Sequence, residues 1–517
     1  MFKEAEELVK KTLNMLKSKK DKNHLEIYDE LMIQASKYFN ERELLLIKKA
    51  YLIAKDLHRG QKRNSGEPYI IHPVYVAYIL LEELNLHDAR GIAAALLHDT
   101  VEDCGISYDF LKKHFGEYVA TLVIGVTKIK EAKFNTKEEQ EAFYNCFLLL
   151  ASLKTYIDIL IKIADRLHNM RTLEYKEEAK RRAKSAETLR VFVPLAALVG
   201  TYYAKVELAN LSLKYLNQKA YQEIDSMRKD YSLKHQNEIE YELELLRKVL
   251  KGLSIEAEVE VSLKNNFSIY QHLTKNRKIS EIPNLIKYSI MTNTREDCDR
   301  IEEEIRTKFM VMEEYTQDFI KNPKLNGYKA LHLSIPGHKF IEKNPKKIAY
   351  RTSRITGKYI PVQIQIFTKE MFLINSYGFA SLSDIYPEKN VYDIQEELLR
   401  TNPFFRALQE NEMINNPYLF IEKTVRELLA DKINVYVADG KIYCLPESST
   451  VADLADKIHS KLREEAIGAK VNGIEVNLDF PLKDGDHVFI LTKEEKQTLI
   501  TRENSSTLKL AKEKLFQ

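Results

Sequence analysis

Cysteine is scarce in this chain of 517 residues, with four at positions 104, 146, 298 and 444 and no CxxC pair among them. Such scatter argues against a disulfide framework and against a cysteine-ligated zinc, and leaves the thiols as small buried or surface groups. Long apolar runs are also missing. Stretches such as 146–153 and 191–200 fall far short of the roughly 18–20 residues that span a bilayer. The opening MFKEAEELVKKTLNMLK mixes acids and bases and lacks the apolar segment and small-residue cleavage site of a signal peptide, so a cytoplasmic protein is expected. Nor does charge of one sign prevail. With 79 Lys+Arg against 76 Asp+Glu the net charge is +3, and the whole-chain balance demands neither nucleic acid nor an anionic membrane.

What is present is enough apolar mass for cores (44% hydrophobic) and enough charge (30%) for solubility. At ~100–200 residues per domain the length predicts about three to five domains. Up to about Leu250, apolar residues recur at three- and four-residue spacing, as in Leu44, Ile47, Ala50, Tyr51 and Ala54, while Gly and Pro are sparse. This half reads as all-α. After Gly252 the pattern changes to short β-like runs, EAEVEV, NLIKYSIMT, HLSI and YIPVQIQIF, with helical stretches between, as in an α+β domain. From about Asp431, two strand-like runs joined at Asp439-Gly440, an amphipathic helix and further short strands suggest a small β-grasp module. The resulting expectation is a helical domain over 1–200, a helical linker over 201–252, an α+β domain over 253–400, a linker helix over 401–430, the β-grasp module over 431–493 and a tail over 494–517.

Three short segments of the helical half concentrate metal-ligand chemistry: YIIHP with His72, LLHDTVED with His98, Asp99, Glu102 and Asp103, and IADRLHNMRT with Asp165. Imidazole and carboxylate together suit a borderline to hard divalent ion such as Mn, Fe or Zn. Adjacent His98 and Asp99 on a helix aim two ligands only ~100° apart, so one ion can be gripped from that helix while His72 and Asp165 close the shell. Glu102 and Asp103 follow one turn later and could orient or deprotonate a water and handle the leaving group's proton. A solvated acidic face, or an Asp165–Arg166 ion pair, is the bland alternative for each segment alone. Three such segments, each at the end of an apolar helix, favour the metal.

HRGQKRNSGEPYIIHP, LLHDTVEDC and IKIADRLHNMRTLE together resemble the HD-superfamily hydrolase domain of the Rel/SpoT homologue family, whose members handle the alarmones ppGpp and pppGpp. The resemblance implies one Mn ion held by His72, His98, Asp99 and Asp165, with Glu102 and Asp103 activating the attacking water. It implies substrate contacts from Arg63, which stacks on guanine in the family, and from Ser65, Asn169 and Thr172, with Lys62 and Arg166 adding positive charge. Asn64 departs from the Lys that the family often has there. The reaction implied is removal of the 3′-pyrophosphate from (p)ppGpp, giving GDP or GTP.

In long members of the family the next domain makes the alarmone from ATP. Here FSIYQHL, DFIKNPKLNGYKALHLSI and PVQIQIFTKEM match its framework and keep the guanine-stacking Tyr328, so a guanine nucleotide is a possible ligand. The chemistry residues differ: Ser262 stands for an Arg, Asn284 for the Mg-binding Asp, Ser289 for an Arg, Gln363 for the general-base Glu and Phe367 for an Arg. Asn offers Mg a neutral oxygen, Gln cannot take a proton, and Phe or Ser cannot clamp phosphate. The expectation is a pseudo-synthetase. The last module resembles the TGS domain, through which long members reach the tRNA acceptor end. The family's further helical, zinc-finger and ACT domains do not follow in this sequence, so tRNA or ribosome engagement is not the leading expectation, and restraint of the catalytic half is its alternative. The sequence thus points to a monofunctional alarmone hydrolase, ahead of a bifunctional synthetase/hydrolase or a non-catalytic alarmone or tRNA sensor.

Overall fold

The computed structural model describes residues 24–127, 155–274, 278–324, 326–336, 361–386 and most of 432–492. The Asp439-Gly440 turn, the 401–430 linker helix and the 494–517 tail lie outside the described residues, as does Cys146. Two compact units emerge, Met1–Ile421 and Glu422–Gln517.

The first unit begins with helices throughout: α1 (His24–Ala35), α2 (Glu41–Leu57), α3 (Ile71–Tyr78), α4 (Ala89–Leu97), α5 (Thr100–Cys104), α6 (Tyr108–Phe115), α7 (Glu117–Val126), α8 (Ile157–Arg171), α9 (Glu178–Glu187) and α10 (Val193–Leu198). Their ends are set by local chemistry. Asn40 caps α2 by accepting from the amides of Arg42 and Glu43 while Glu43 reaches back, a full capping box. Asp88 caps α4 by accepting from the amides of Arg90 and Gly91 at 2.8 and 3.2 Å. Gly91 lets α4 approach its neighbours closely, since a Cβ there would meet Leu86 Cδ2 at 2.9 Å and Ile157 Cγ2 at 3.2 Å. Every residue of α3 and α4 except Arg90 is buried, which draws the ends of both helices into the interior.

Three further helices, α11 (Tyr202–Leu216), α12 (Gln218–Lys234) and α13 (Gln236–Leu253), occupy the segment read from sequence as a linker. Ile239, Leu246, Val249 and Leu250 of α13 pack in one core with the sheet that follows, because α13 is amphipathic and its apolar stripe needs a partner. The sheet has the order β1-β2-β5-β4-β3, from β1 (Glu258–Leu263), β2 (Ile286–Thr292), β3 (Gln317–Asp318), β4 (Leu331–Pro336) and β5 (Pro361–Thr368). Only β2 and β5 run parallel; the other pairs are antiparallel. One face packs on α13 and on α15 (Arg295–Lys308), which follows α14 (Asn266–Leu273).

After β5, α16 (Lys369–Tyr377) and α17 (Leu382–Ile385) return to the helical half. Asp384 accepts from Asn85 at 2.6 Å and faces His87 Nδ1 at 2.5 Å, and the Phe379 amide donates to the Val199 carbonyl at 3.1 Å. Gly378 sits at φ +60°, and a Cβ on it would overlap the Val199 carbonyl. Gly200, at φ +82°, faces it from the helical side.

The second unit is a β-grasp. Its sheet has the order β7-β6-β10-β8-β9, from β6 (Lys432–Val437), β7 (Ile442–Pro446), β8 (Ala466–Val471), β9 (Ile474–Val476) and β10 (His487–Thr492). The helices α18 (Val451–Ile458) and α19 (Ser460–Glu465) follow β7, and α18 buries Val451, Leu454 and Ala455 against the sheet core. No helix among the described residues is long and apolar enough to cross a membrane.

Gly378→Ala is therefore expected to destabilise the first unit by about 2 kcal/mol or more, because both the left-handed backbone and the contact with Val199 forbid a side chain. Urea unfolding monitored by circular dichroism checks this; an unchanged midpoint would contradict the packing described.

Candidate metal centre and its surroundings

The HDTVED run is not one continuous helix. Chain regularity breaks at His98 and Asp99, between α4 and α5, with the Thr100 hydroxyl donating to the Leu97 carbonyl at 2.5 Å and the Asp103 amide donating to the Asp99 carbonyl at 2.9 Å. His98 ends the buried α4 and is itself buried, and Asp99, which opens α5, is partly exposed. His72 is in the first turn of α3, and Asp165 lies past the buried IDILIKIA stretch of α8.

Three of the four lie in one group, and Asp99 stands beside both imidazoles. One ligand atom each from His72, His98 and Asp165 lie within 4.8 Å of one another. His72 Nε2 stands 3.2 Å from Asp165 Oδ1 and 3.6 Å from Asp99 Oδ2, and His98 Nε2 stands 3.2 Å from Asp99 Oδ1. The imidazoles are buried, while the Asp99 and Asp165 side chains keep 18% and 20% of their exposure, so the site opens to solvent on its acidic side.

Donor geometry fits a cation. His98 Nδ1 lies 2.8 Å from the Ala95 carbonyl, which can only accept, so Nδ1 carries the proton and Nε2 faces the carboxylates. That buried Nε2 stands 3.2 Å from Asp99 Oδ1. Burial alone would lower the His98 pKa, but Asp99 and then Asp165 outweigh it and raise it to about 9. The same negative field that holds a proton there would hold a divalent cation in its place. Burial pushes the Asp99 carboxyl up, yet His98, His72 and the Tyr69 hydroxyl together hold it well below the usual carboxylate range. Asp165 is likewise held low against its burial, by His72 and His98. For His72, burial and the Arg63 charge lower the pKa.

The remaining predicted residues divide. Arg63 is presented by a tight turn in which its amide donates to the Glu67 carbonyl at 2.9 Å, and its guanidinium faces His168 Nδ1 at 3.1 Å, Asn169 Oδ1 at 3.3 Å and Thr172 Oγ1 at 3.4 Å. Asn169 donates in turn to Asp165 Oδ1 at 2.5 Å. Arg63, Asn169 and Thr172 thus line one place beside the carboxylates. Ser65 is half-buried in the same turn as Arg63, and Lys62 is exposed there. Glu102 is half-buried and Asp103 exposed on α5. Arg166 is a correction. Its guanidinium donates twice to Glu187 at 2.9 Å each and lies 3.8 Å over the Phe192 ring, because the residue after Asp165 is rotated ~100° around α8 and faces α9 instead of the site.

Two neighbours were not singled out from sequence. Tyr69 donates its hydroxyl to Asp99 Oδ2 at 2.7 Å and stacks on His58 at 4.7 Å. His168 is fully buried, with Nδ1 2.8 Å from His72 Nδ1. Spacing could have found both: Tyr69 precedes His72 by three residues and His168 follows Asp165 by three, one turn away on the same side.

On the α+β sheet, register places Ser262, Lys287, Gln363 and Ser334 in one cross-strand row, and Glu260, Ser289, Gln365 and His332 in the next. Gln365 donates to Gln363 Oε1 at 2.9 Å, and both Gln amide nitrogens approach His332, whose Nε2 lies 2.7 Å from the Tyr328 hydroxyl. Phe367 is buried with Met291, Ala330 and Phe372. Asn284 sits before β2 at φ +53°, and its buried Oδ1 has no hydrogen-bond partner among the described residues.

Comparison with known families accounts for this layout. Residues 50–202 match an HD domain, 262–390 match the region found in RelA / SpoT proteins, and 433–492 match a TGS domain. The protein named guanosine-3′,5′-bis(diphosphate) 3′-pyrophosphohydrolase of Vibrio cholerae is 32% identical over 475 residues, covering 90% of this chain and 63% of the relative. The chain belongs to the Rel/SpoT homologue family. A protein of the same name from Aquifex aeolicus is 35% identical over 454 residues, covering 87% of this Rel/SpoT homologue and 61% of the relative. The bifunctional (p)ppGpp synthase/hydrolase SpoT of Escherichia coli is 31% identical over 467 residues, covering 90% and 63%. This Rel/SpoT homologue therefore spans about three-fifths of the length of the curated relatives it matches.

The Arg166–Glu187 pair gives a pH test. Burial would raise the Glu187 pKa, but Arg166 and then Lys184 bring it down to about 2 from an ordinary value near ~4.3. A depressed carboxylate adds stability that is present above its unfolded pKa and lost as pH falls through the folded one. The gap in urea midpoint between wild type and Glu187→Gln should narrow as pH is lowered from 6 to 3; a constant gap would refute the pairing.

Proposed function

We propose that this protein is a divalent-metal-dependent, and specifically Mn-dependent, hydrolase that removes the 3′-pyrophosphate of (p)ppGpp, with a middle domain that no longer synthesises it. The observation that carries the proposal is the convergence of two imidazole nitrogens and two depressed carboxylates on one opening beside Arg63, Asn169 and Thr172. The names of the relatives, pyrophosphohydrolases and a bifunctional synthase/hydrolase, support the substrate class.

His72, His98, Asp99 and Asp165 would hold the ion. Its chemistry when bound is to offset phosphate charge and acidify a water. A mixed nitrogen and oxygen set suits Mn better than the all-oxygen shells of Mg or Ca. Arg63 would meet the guanine base, and Asn169 and Thr172 would fix the nucleotide against α8. Tyr69 holds Asp99 through its hydroxyl, which orients that carboxylate toward the site. Glu102 and Asp103, one turn further, would take the proton of the attacking water and return one to the leaving group.

For the middle domain the proposal rests on what occupies the sheet face. Gln363 is bound within an amide–imidazole network in place of a free base, and Phe367 fills with apolar packing the place of a guanidinium. The carboxylates on the described rows of that face come from the outer strand β1, at Glu258 and Glu260. A guanine nucleotide could still meet Tyr328. The β-grasp unit is proposed to restrain catalysis.

The purified protein with Mn should release pyrophosphate from labelled ppGpp, with activity lost by at least about 100-fold in Asp99→Ala, and it should make no ppGpp from GDP and ATP. Synthesis without hydrolysis would overturn the reading.

A further inference from the structure

Each histidine that would hold the cation needs its other ring nitrogen committed elsewhere, so that the proton stays off the ligating one. For His98 the partner is the Ala95 carbonyl, an acceptor that leaves no choice of tautomer. For His72 the partner is His168, at 2.8 Å between the two Nδ1 atoms, and an imidazole can either give or take.

The choice is made by Arg63. Its guanidinium has only donors and keeps its charge, and it lies 3.1 Å from that same His168 Nδ1. A nitrogen facing an arginine N–H must offer its lone pair. His168 Nδ1 is then bare, and the proton in the contact between the two rings belongs to His72 Nδ1. That leaves His72 Nε2 as a lone pair aimed at the space shared with Asp165 and Asp99, 3.2 and 3.6 Å away. His168 is held for this task by full burial and by stacking on Tyr75 at 5.1 Å with the rings 19° from parallel.

We propose that His168 is a positioning residue that sets the tautomer of His72, with its own lone pair oriented by Arg63, so that the nucleotide-facing arginine and the cation site share one hydrogen-bond chain. The chain runs Arg63 to His168, and His72 to His168, with two donors converging on one acceptor. It rests on the reading of the site as a metal centre, and it assigns His168 no contact with the reacting atoms.

Three measurements test it. In metal-free protein labelled with 15N-histidine, with the His72 signals assigned by their loss in His72→Gln, His72 should carry its proton on Nδ1; a proton on Nε2 would overturn the proposal. His168→Leu removes the acceptor and should weaken Mn binding, measured by competition with a chelating dye, by about 10- to 100-fold. His168→Asn loses the ring and its stacking on Tyr75 but returns a carbonyl oxygen close to where Nδ1 stood, and should recover most of that affinity. If both variants lose affinity equally, or Leu loses none, His168 acts only as packing and the proposal fails while wild-type hydrolysis stands. Should wild type itself bind no Mn, the reading of the centre fails instead. Urea midpoints of the two variants report folding separately, and the tautomer measurement on wild type stands even if the Leu variant does not fold.

Discussion

Two carboxylates and two imidazoles forced together at the edge of a helical core are the constraint around which the first unit is built. Asp99 and Asp165 keep only 18% and 20% of their exposure, and both are held ionised against the pull of burial. Uncompensated, such charges would cost several kcal/mol each, so the surroundings supply what a lone carboxylate lacks: the Tyr69 hydroxyl on Asp99, the Asn169 amide on Asp165, and imidazoles between them. A divalent cation completes that balance better than protons can, because it neutralises both acids at once and leaves each imidazole neutral.

The helices exist in this arrangement because of where their apolar faces end. In α3, α4 and α8 the ligands lie within or directly after buried runs, so the same hydrophobic burial that fixes the bundle also fixes three ligand-bearing positions relative to one another. The close approach at Gly91 ties α4 to Ile157 at the start of α8. Rigid packing is what lets weakly directional contacts serve as a precise site, since a core at crystal-like density cannot drift without opening voids.

How much of this was legible in sequence follows from the range of the forces involved. Periodicity in GIAAALL and IDILIKIA shows local burial, and burial next to His-Asp and Asp shows a demand for compensation; those signals are carried within single segments. Arg166 was misread because its partner Glu187 is 21 residues away and in another helix, so its direction depended on rotation about α8 and on a packing contact with Phe192 that no local pattern records. The packing of α13 is out of reach for a similar reason: the helix is amphipathic, but the sheet that takes its apolar stripe is formed by strands up to more than a hundred residues later. Tyr69 and His168 lay inside the quoted segments yet went unassigned, because a residue that acts on a ligand carries the same spacing as a residue that merely packs.

The middle domain presents a different balance, one of neutral groups. Gln363, Gln365, His332 and Tyr328 satisfy one another across strands β4 and β5, so the sheet face has no unmet demand for a ligand there. Neutral hydrogen-bonding groups and a buried Phe367 carry none of the desolvation cost that buried acids and guanidinia would. The domain's own contacts are specific: Gly378 against Val199, Asp384 against Asn85 and His87, and Asn326 donating to the Ala197 carbonyl at 2.9 Å all join it to the helices that follow α8 or flank α4. These contacts tie the α+β domain to the helices next to those that carry His98 and Asp165.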